Sequence, residues 1–172
     1  MGMDVSGKKP TTEAGSYFRN NVWWWRPLAQ YLTSQAPRQI VGKCRYWQSN
    51  DGDGLNAKDS KKLAAWLREE IASGRTATYA MDYQAELDAV PPHDCQYCNG
   101  TGTRTDSVGR ENGMVEKVID EPAHPRQGQK GWCNGCNGIG KVEDIANNYP
   151  FTVENCAEFA AFLEGCGGFE IW

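Results

Sequence analysis

Two segments of the chain repeat one eight-residue pattern, Cys95-Gln96-Tyr97-Cys98-Asn99-Gly100-Thr101-Gly102 and Cys133-Asn134-Gly135-Cys136-Asn137-Gly138-Ile139-Gly140. Each segment reads C-x-x-C-x-G-x-G. Two residues between the cysteines let both sulfurs of one turn reach a single ion, and two such turns supply a tetrahedral set. The glycines let the backbone turn tightly and aim N–H groups at the sulfurs. The pattern predicts one zinc ion, with the ligands Cys95, Cys98, Cys133 and Cys136.

Other roles for these four cysteines are a pair of disulfides, four unrelated buried thiols, or rubredoxin-like iron coordination. Repetition of the glycines together with the cysteines argues against chance, and a reducing compartment argues against disulfides. A site closed by four cysteines leaves no position for water or substrate. We therefore expect a structural metal rather than a catalytic one.

Residues 93–141, which carry both repeats, resemble the zinc-binding region of DnaJ-type chaperones. That family has four C-x-x-C-x-G-x-G repeats and two zinc ions, so two repeats here imply one zinc ion. The chain lacks the His-Pro-Asp tripeptide with which the J-domain stimulates its chaperone partner. The resemblance therefore implies metal binding and a protein-contacting surface, but no co-chaperone activity.

The 30 residues between the repeats, Thr103 to Trp132, form a connection whose two ends the metal would hold. Connections of this length are usually functional or mobile. The segment from Gly113 to Ile119 is expected to form a hairpin strand whose outward residues contact a partner. Those residues are Met114, Val118 and Ile119. The alternative is that they pack back against the body of the protein.

Outside residues 93–141 the pattern predicts an α+β body built from both ends of the chain, with the metal module inserted. The predicted boundaries are a flexible arm at 1–12, a body at 13–92 and 142–172, and the insert at 93–141. Proline, cap residues and apolar spacing predict helices over 27–36, from Asn56 to Gly74, over 77–90 and after Thr152. Alternating apolar residues predict strands over 39–47 and 169–172.

The most aromatic stretch is Tyr17-Phe18-Arg19-Asn20-Asn21-Val22-Trp23-Trp24-Trp25-Arg26-Pro27. Tryptophans interleaved with arginines can stack nucleic-acid bases. The residues that would do so are Arg19, Trp23, Trp24, Trp25 and Arg26. In an extended segment alternate tryptophans point to opposite faces, so packing of at least one or two in the core is the favoured interpretation.

The remaining chemistry-bearing residues form no recognisable catalytic motif. Asp51-Gly52-Asp53-Gly54 lacks the bidentate glutamate of a calcium loop and is typical of an acidic turn. His93 and His124 lack a nucleophile partner, and an enzyme built from Asp51, Asp53 and a cysteine has no further support. The other cysteines, of which Cys156 falls on an apolar helix face, are Cys44, Cys156 and Cys166. We therefore expect a protein that is not an enzyme.

The charge of the chain limits the classes of partner that it is expected to bind. The chain has 172 residues and a formal net charge of −4, which disfavours bulk binding to a nucleic-acid backbone. Residues 1–50 hold seven basic and two acidic residues, whereas 150–172 hold four acidic residues and no basic one. No apolar run is long enough for a membrane span or a secretory signal, so a cytoplasmic location is expected.

The expected function is zinc-dependent contact with another macromolecule. The flanking strings, residues 17–27 and Cys166-Gly167-Gly168-Phe169-Glu170-Ile171, resemble those of small phage or prophage proteins. That resemblance implies an inhibitor or modulator of a host complex, such as a defence complex, acting in the host cytoplasm. The alternative is a nucleic-acid or nucleotide binder that uses the basic, tryptophan-rich N-terminal segment.

Overall fold

The computed structural model describes residues 2–172. Its elements mix helices with small antiparallel sheets, which confirms the predicted α+β class. The strands are β1 (Gly2–Gly7), β2 (Tyr17–Asn21), β3 (His93–Asp94), β4 (Lys141–Val142) and β5 (Phe169–Ile171). The helices are α1 (Val22–Gln35), α2 (Arg38–Val41), α3 (Ala57–Ala72), α4 (Arg75–Asp88), α5 (Ser107–Glu111) and α6 (Val153–Gly165), with a 3₁₀ turn at Ile145–Asn148. No helix among these residues combines the length and apolar character that a membrane crossing needs.

The chain divides into two compact units, one of residues up to Leu87 together with Asn148–Trp172, the other Asp88–Asn147. The first unit contains a three-stranded antiparallel sheet in the order β2-β1-β5. Val5 pairs with Phe18 on one side and with Ile171 on the other, so β1 is the central strand. The main apolar core of the unit lies between this sheet and helices α1, α3 and α6.

The flexible arm predicted at 1–12 is wrong for the described residues of that segment; Met1 lies outside them. Met3 and Val5 of β1 are buried in the core. Beyond the strand, the N–H of Lys8 donates to the Gly168 carbonyl at 2.7 Å, and that of Thr11 to the Gly165 carbonyl at 2.8 Å. Local sequence does not reveal this order, because the segment bonds both to β2 and to residues at the other end of the chain.

Local signals located most of the helices correctly. Asn56 caps α3, since its Oδ1 accepts from the N–H of Asp59 at 2.9 Å, and Thr152 caps α6 in the same way. Helix α1 ends before Pro37, as predicted, but it begins at Val22 rather than at Pro27. Its cap is Asn21, whose Oδ1 accepts from Trp23 and Trp24 at 3.0 and 3.1 Å. Helix α4 and strand β5 also lie where the sequence places them.

The strand predicted over 39–47 is wrong, because α2 and a series of turns occupy this segment. The Asp53 carboxylate accepts the backbone N–H groups of Arg45 and Tyr46, which holds the turn closed. The Trp47 indole is buried and donates to the Val41 carbonyl at 3.0 Å. The backbone donors of the segment therefore bond to nearby residues, such as Pro37 and Asp53, rather than to a neighbouring strand.

The buried Asp59 carboxylate gives the first unit a testable pH dependence. Its Oδ2 accepts hydrogen bonds from Lys43 Nζ at 2.7 Å and from Asn56 Nδ2 at 2.6 Å. These bonds lower the pKa of Asp59, and the bond from Lys43 is the largest cause. Because the folded pKa lies below the unfolded value of about 3.9, the stabilisation is complete above that pH. It is lost as the pH falls through the folded pKa.

We therefore expect Asp59→Asn to lower the free energy of unfolding at pH 7. Near pH 2.5 the same substitution should change this free energy much less. Urea titrations of both proteins, followed by tryptophan fluorescence, measure this difference at each pH. A difference between the two proteins that is the same at both pH values would contradict the role given to the ionised carboxylate.

Candidate metal centre

The second unit brings the sulfur atoms of Cys95, Cys98, Cys133 and Cys136 together. All four lie within 4.8 Å of one another and are buried. The Sγ atoms of Cys95 and Cys133 are 3.9 Å apart, and those of Cys98 and Cys136 are 3.7 Å apart. Sulfurs arranged tetrahedrally about 2.3 Å from one ion lie about 3.8 Å apart. These cysteines are free rather than disulfide-bonded, so the cluster can hold a metal ion.

The two C-x-x-C-x-G-x-G turns have the same backbone conformation. In the first, Asn99 and Gly100 have positive φ angles of 49° and 79°; in the second, Asn137 and Gly138 have 49° and 77°. The N–H of each of these first glycines donates to the carbonyl of the first cysteine in its turn, at 3.3 and 2.9 Å. Glycine and asparagine adopt the left-handed region most readily, which explains their presence at these positions.

The second glycine of each turn donates its N–H to a sulfur, as the pattern predicts. Gly102 donates to Cys98 Sγ at 3.2 Å and Gly140 donates to Cys136 Sγ at 3.1 Å. Burial raises the pKa of Cys136 to about 12 despite its N–H donor. Burial also tends to raise the pKa of Cys98. The hydrogen bonds from the Gly102 N–H and from the neighbouring thiols outweigh this effect, so the pKa of Cys98 lies below its ordinary value. A cation among the four sulfurs would favour their thiolate forms.

Short strands hold the two turns side by side. Strand β3 leads into the first turn, β4 leaves the second, and they pair antiparallel with Asp94 opposite Lys141. The Lys141 Nζ lies 2.7 Å from Asp94 Oδ1. The N–H of Cys95 also donates to the Gly140 carbonyl at 2.8 Å, which links the start of one turn to the end of the other.

Two residues that sequence reasoning missed connect the long segment between the turns to the second turn. Arg126 Nη1 donates to the Gly138 carbonyl at 2.7 Å, and its Nη2 donates to Thr103 Oγ1 at 3.3 Å. The His124 Nδ1 accepts from the Arg126 N–H at 3.0 Å, so its Nε2 donates to the Asn137 carbonyl at 2.6 Å. Only the fold reveals these roles, because nothing in the local sequence distinguishes these residues from loop residues.

The three residues expected to face a partner differ in their exposure to solvent. Val118 is 49% exposed and Met114 is half-buried, but the outward orientation expected for Ile119 is wrong, since it is 1% exposed. A side chain at Gly138 would meet the Ile119 Cδ1, which places Ile119 beneath the second turn. The expected strand is reduced to one bridge, between Val118 and Lys130.

The three consecutive tryptophans lie in a helix, so the expectation of an extended segment is wrong. Trp25 is fully buried and its Nε1 donates to the Trp47 carbonyl at 2.6 Å. Trp23 and Trp24 are each 37% exposed. Trp23 packs on Tyr149, as does the Arg26 guanidinium, whereas Arg19 and Trp24 line a separate cleft.

The other three cysteines are buried apart from the cluster. Burial raises the pKa of Cys44 and of Cys156 to about 12, so both thiols are protonated and unreactive at neutral pH. Cys166 is also fully buried. Asp53 accepts the N–H groups that hold the turn at residues 45–46, and its carboxylate also lies beside the Cys44 thiol, where its negative charge adds to the rise in the Cys44 pKa.

The fold and the site define an α+β chain that carries a buried four-cysteine cluster able to hold a metal ion. Comparison with models of known families, with curated proteins and with solved structures finds no match.

Proposed function

We propose that the chain is a zinc-stabilised, non-enzymatic module that binds another protein. The observation that supports it most is the set of four buried sulfurs with separations of 3.7 and 3.9 Å between the paired cysteines. Four cysteines form the usual closed site of structural zinc, which has no open position for a substrate. One ion is proposed because two C-x-x-C turns provide one tetrahedral set.

Zinc and iron both accept four thiolates, so the four sulfurs alone do not distinguish the two metals. We choose zinc because the two turns resemble the zinc-binding repeats of DnaJ-type chaperones. Four thiolates around one Zn²⁺ carry a net charge of −2. The N–H groups of Gly102 and Gly140 point at two of these sulfurs and help to stabilise that charge.

Elemental analysis of protein purified under reducing conditions tests the metal assignment. We expect one zinc atom per chain, and loss of that zinc in Cys95→Ser because three ligands hold the ion far less tightly. The control is Cys44→Ala, which removes a buried cysteine outside the cluster and should keep the zinc. Iron in place of zinc, or full metal content in Cys95→Ser, would contradict the assignment.

A glycine substitution tests the backbone geometry of the turns. Gly140 has a φ of 91°, and a side chain there would overlap the Gly100 carbonyl oxygen. We expect Gly140→Ala to weaken zinc affinity at least tenfold, measured by competition with a chromophoric chelator. Gly128 has a similar φ of 79° but open space around it, so Gly128→Ala should change zinc affinity little. Equal affinities of the two variants would contradict the role of close backbone approach.

The protein-binding part of the proposal is supported by exposed apolar side chains close to the cluster in sequence. Tyr97 and Ile139, inside the two turns, are about half exposed, and so is Val118 on the connection between them. A metal that fixes the turns would hold the side chains of Tyr97 and Ile139 in place, so that less conformational entropy is lost when a partner binds. The half-buried Met114 belongs to the same proposed contact surface.

The narrower form of the proposal is a phage-type inhibitor or modulator of a host complex, such as a defence complex, acting in the cytoplasm. The support is the resemblance of the two flanking strings together with the reducing conditions that zinc thiolates require. Affinity purification from host lysate with the wild-type chain and with a Val118→Glu/Ile139→Glu variant tests it. We expect a stoichiometric host protein with the wild type only. The absence of such a protein, or its equal capture by the variant, would contradict the proposal.

A further inference from the structure

A polar cleft in the first unit is lined by no residue of the metal centre. Its volume is about 480 Å³, within the range of small-ligand sites. It forms where β2 passes into α1 and where α6 begins, and both N-cap residues, Asn21 and Thr152, line it. The other side chains considered below are those of Arg19, Asn20, Trp24, Glu154, Asn155 and Glu158.

Two buried amides form one wall of the cleft. Asn155 Nδ2 donates to the Trp24 carbonyl at 3.2 Å, so the Asn155 Oδ1 must face the other way. That oxygen accepts from Asn20 Nδ2 at 2.6 Å. The Asn20 Oδ1 is therefore an acceptor, and no residue between 2 and 172 donates a hydrogen bond to it. Asn20 is only 7% exposed, so this free acceptor belongs to a side chain that is more than nine-tenths buried and lines the cleft.

The charge on the cleft is negative. Glu154 and Glu158 lie one turn apart on the same face of α6, and neither forms an ion pair with a residue that the structure describes. The single basic residue in the lining, Arg19, has a carboxylate partner in Asp4, with Nε 4.0 Å from Oδ1. Two neighbouring carboxylates without a cation repel each other and would repel a phosphate group. The lining therefore favours a cation over a nucleotide.

The aromatic wall of the cleft is Trp24, which is 37% exposed. Within residues 2–172 no cationic group lies over its ring. On the same helix, in contrast, Arg26 places its guanidinium 5.6 Å from the centre of the Tyr149 ring. An indole face is the aromatic surface that attracts cations most strongly.

We propose that the cleft binds a guanidinium group. A guanidinium is planar, so it can stack on the Trp24 indole while its forked N–H donors reach the carboxylates and the free Asn20 oxygen. An ammonium group could satisfy the charge but could not stack or present several donors in one plane. This site is independent of the metal, since none of its residues lies in the second unit.

Isothermal titration of the zinc-loaded full chain with N-acetylarginine amide tests the proposal. We expect one-site binding that Glu158→Gln and Trp24→Leu each weaken at least tenfold. Two matched controls should stay within twofold of the wild type. Trp23→Leu changes an equally exposed tryptophan outside the cleft, and Glu86→Gln removes a surface carboxylate on α4. Far-UV circular dichroism establishes that all variants are folded.

The absence of saturable binding by the wild type would overturn the proposal, as would undiminished binding by Trp24→Leu. Equal affinity for N-acetyllysine amide would overturn the choice of a guanidinium, and tighter binding of ADP would overturn the choice of a cation. Comparison of a blocked Gly-Arg-Gly peptide with agmatine then identifies the source. Tighter binding of the peptide supports an arginine of a partner protein, and tighter binding of agmatine supports a free guanidinium compound.

Discussion

We expect removal of the proposed zinc ion to unfold residues 88–147 while the first unit stays folded. The second unit has few buried apolar side chains, and its buried cluster consists of the four cysteines with Val142 packed against them. Without that ion the sulfurs would lack the metal–sulfur bonds that we propose to hold the two turns together. Structural zinc sites contribute about 10–16 kcal/mol of apparent binding energy at neutral pH, more than a domain's usual net stability.

The first unit has an independent source of stability. Its core contains buried side chains from the sheet and from three helices, among them Val5, Leu28, Leu63 and Phe159. No cysteine of the metal cluster belongs to that core. The loss of the metal should therefore leave its hydrogen bonds protected.

Hydrogen–deuterium exchange before and after treatment with a strong chelator measures this effect. We expect amides in 88–147 to exchange at nearly unprotected rates and those of β1, α3 and α6 to remain protected. Cys133→Ser should reproduce the chelated pattern, and Cys44→Ala should reproduce the metal-loaded one. Retained protection around the turns after verified metal removal would show that the metal is not required for their fold.

The second large effect is expected at Trp25, which we predict to be essential for stability. Trp25→Ala should lower the free energy of unfolding of the first unit by about 3–5 kcal/mol, the usual cost of removing a large buried aromatic side chain. Trp25 packs against Trp47, Phe18 and Phe159, and its indole N–H bonds to a buried carbonyl. The substitution would leave both a cavity and an unpaired acceptor.

Trp23→Ala is the matched control for this prediction. Trp23 lies two residues away on the same helix, but it is partly exposed, and its ring packs on that of Tyr149 with 4.6 Å between the ring centres. We expect a loss of about 1 kcal/mol. In urea titrations Trp25→Ala should lower the midpoint by roughly 2 M, and Trp23→Ala by less than about 1 M. Similar midpoints for the two variants would contradict the assignment of Trp25 to the core.

Features that depend on neighbouring residues could be predicted from the sequence. The spacing of the cysteines and glycines identified the cluster, since both sulfurs of a turn and the N–H that bonds to one of them lie within eight residues. The caps Asn56 and Thr152 act on residues three positions ahead. The apolar face of α6, including Cys156 and Phe159, was also correct, because it follows from helical periodicity alone.

Features that depend on residues far apart in the sequence could not be predicted, because no local pattern contains both partners. The first strand, the burial of Ile119 and the turn around Asp53 all rely on partners that local patterns do not reveal. The sequence also predicts the wrong start for α1, because Pro27 is a common first helical residue but here lies inside the helix.

By itself the sequence determined the four-cysteine cluster and most of the helices, because those depend on spacing and capping within a few residues. Only the tertiary structure decided which tryptophan is buried and that the N-terminal segment forms the central strand. It also created the polar cleft, where Asn20 and Asn155 meet although 135 positions separate them. Such contacts form only when the whole core packs, since packing brings together residues that no local pattern relates.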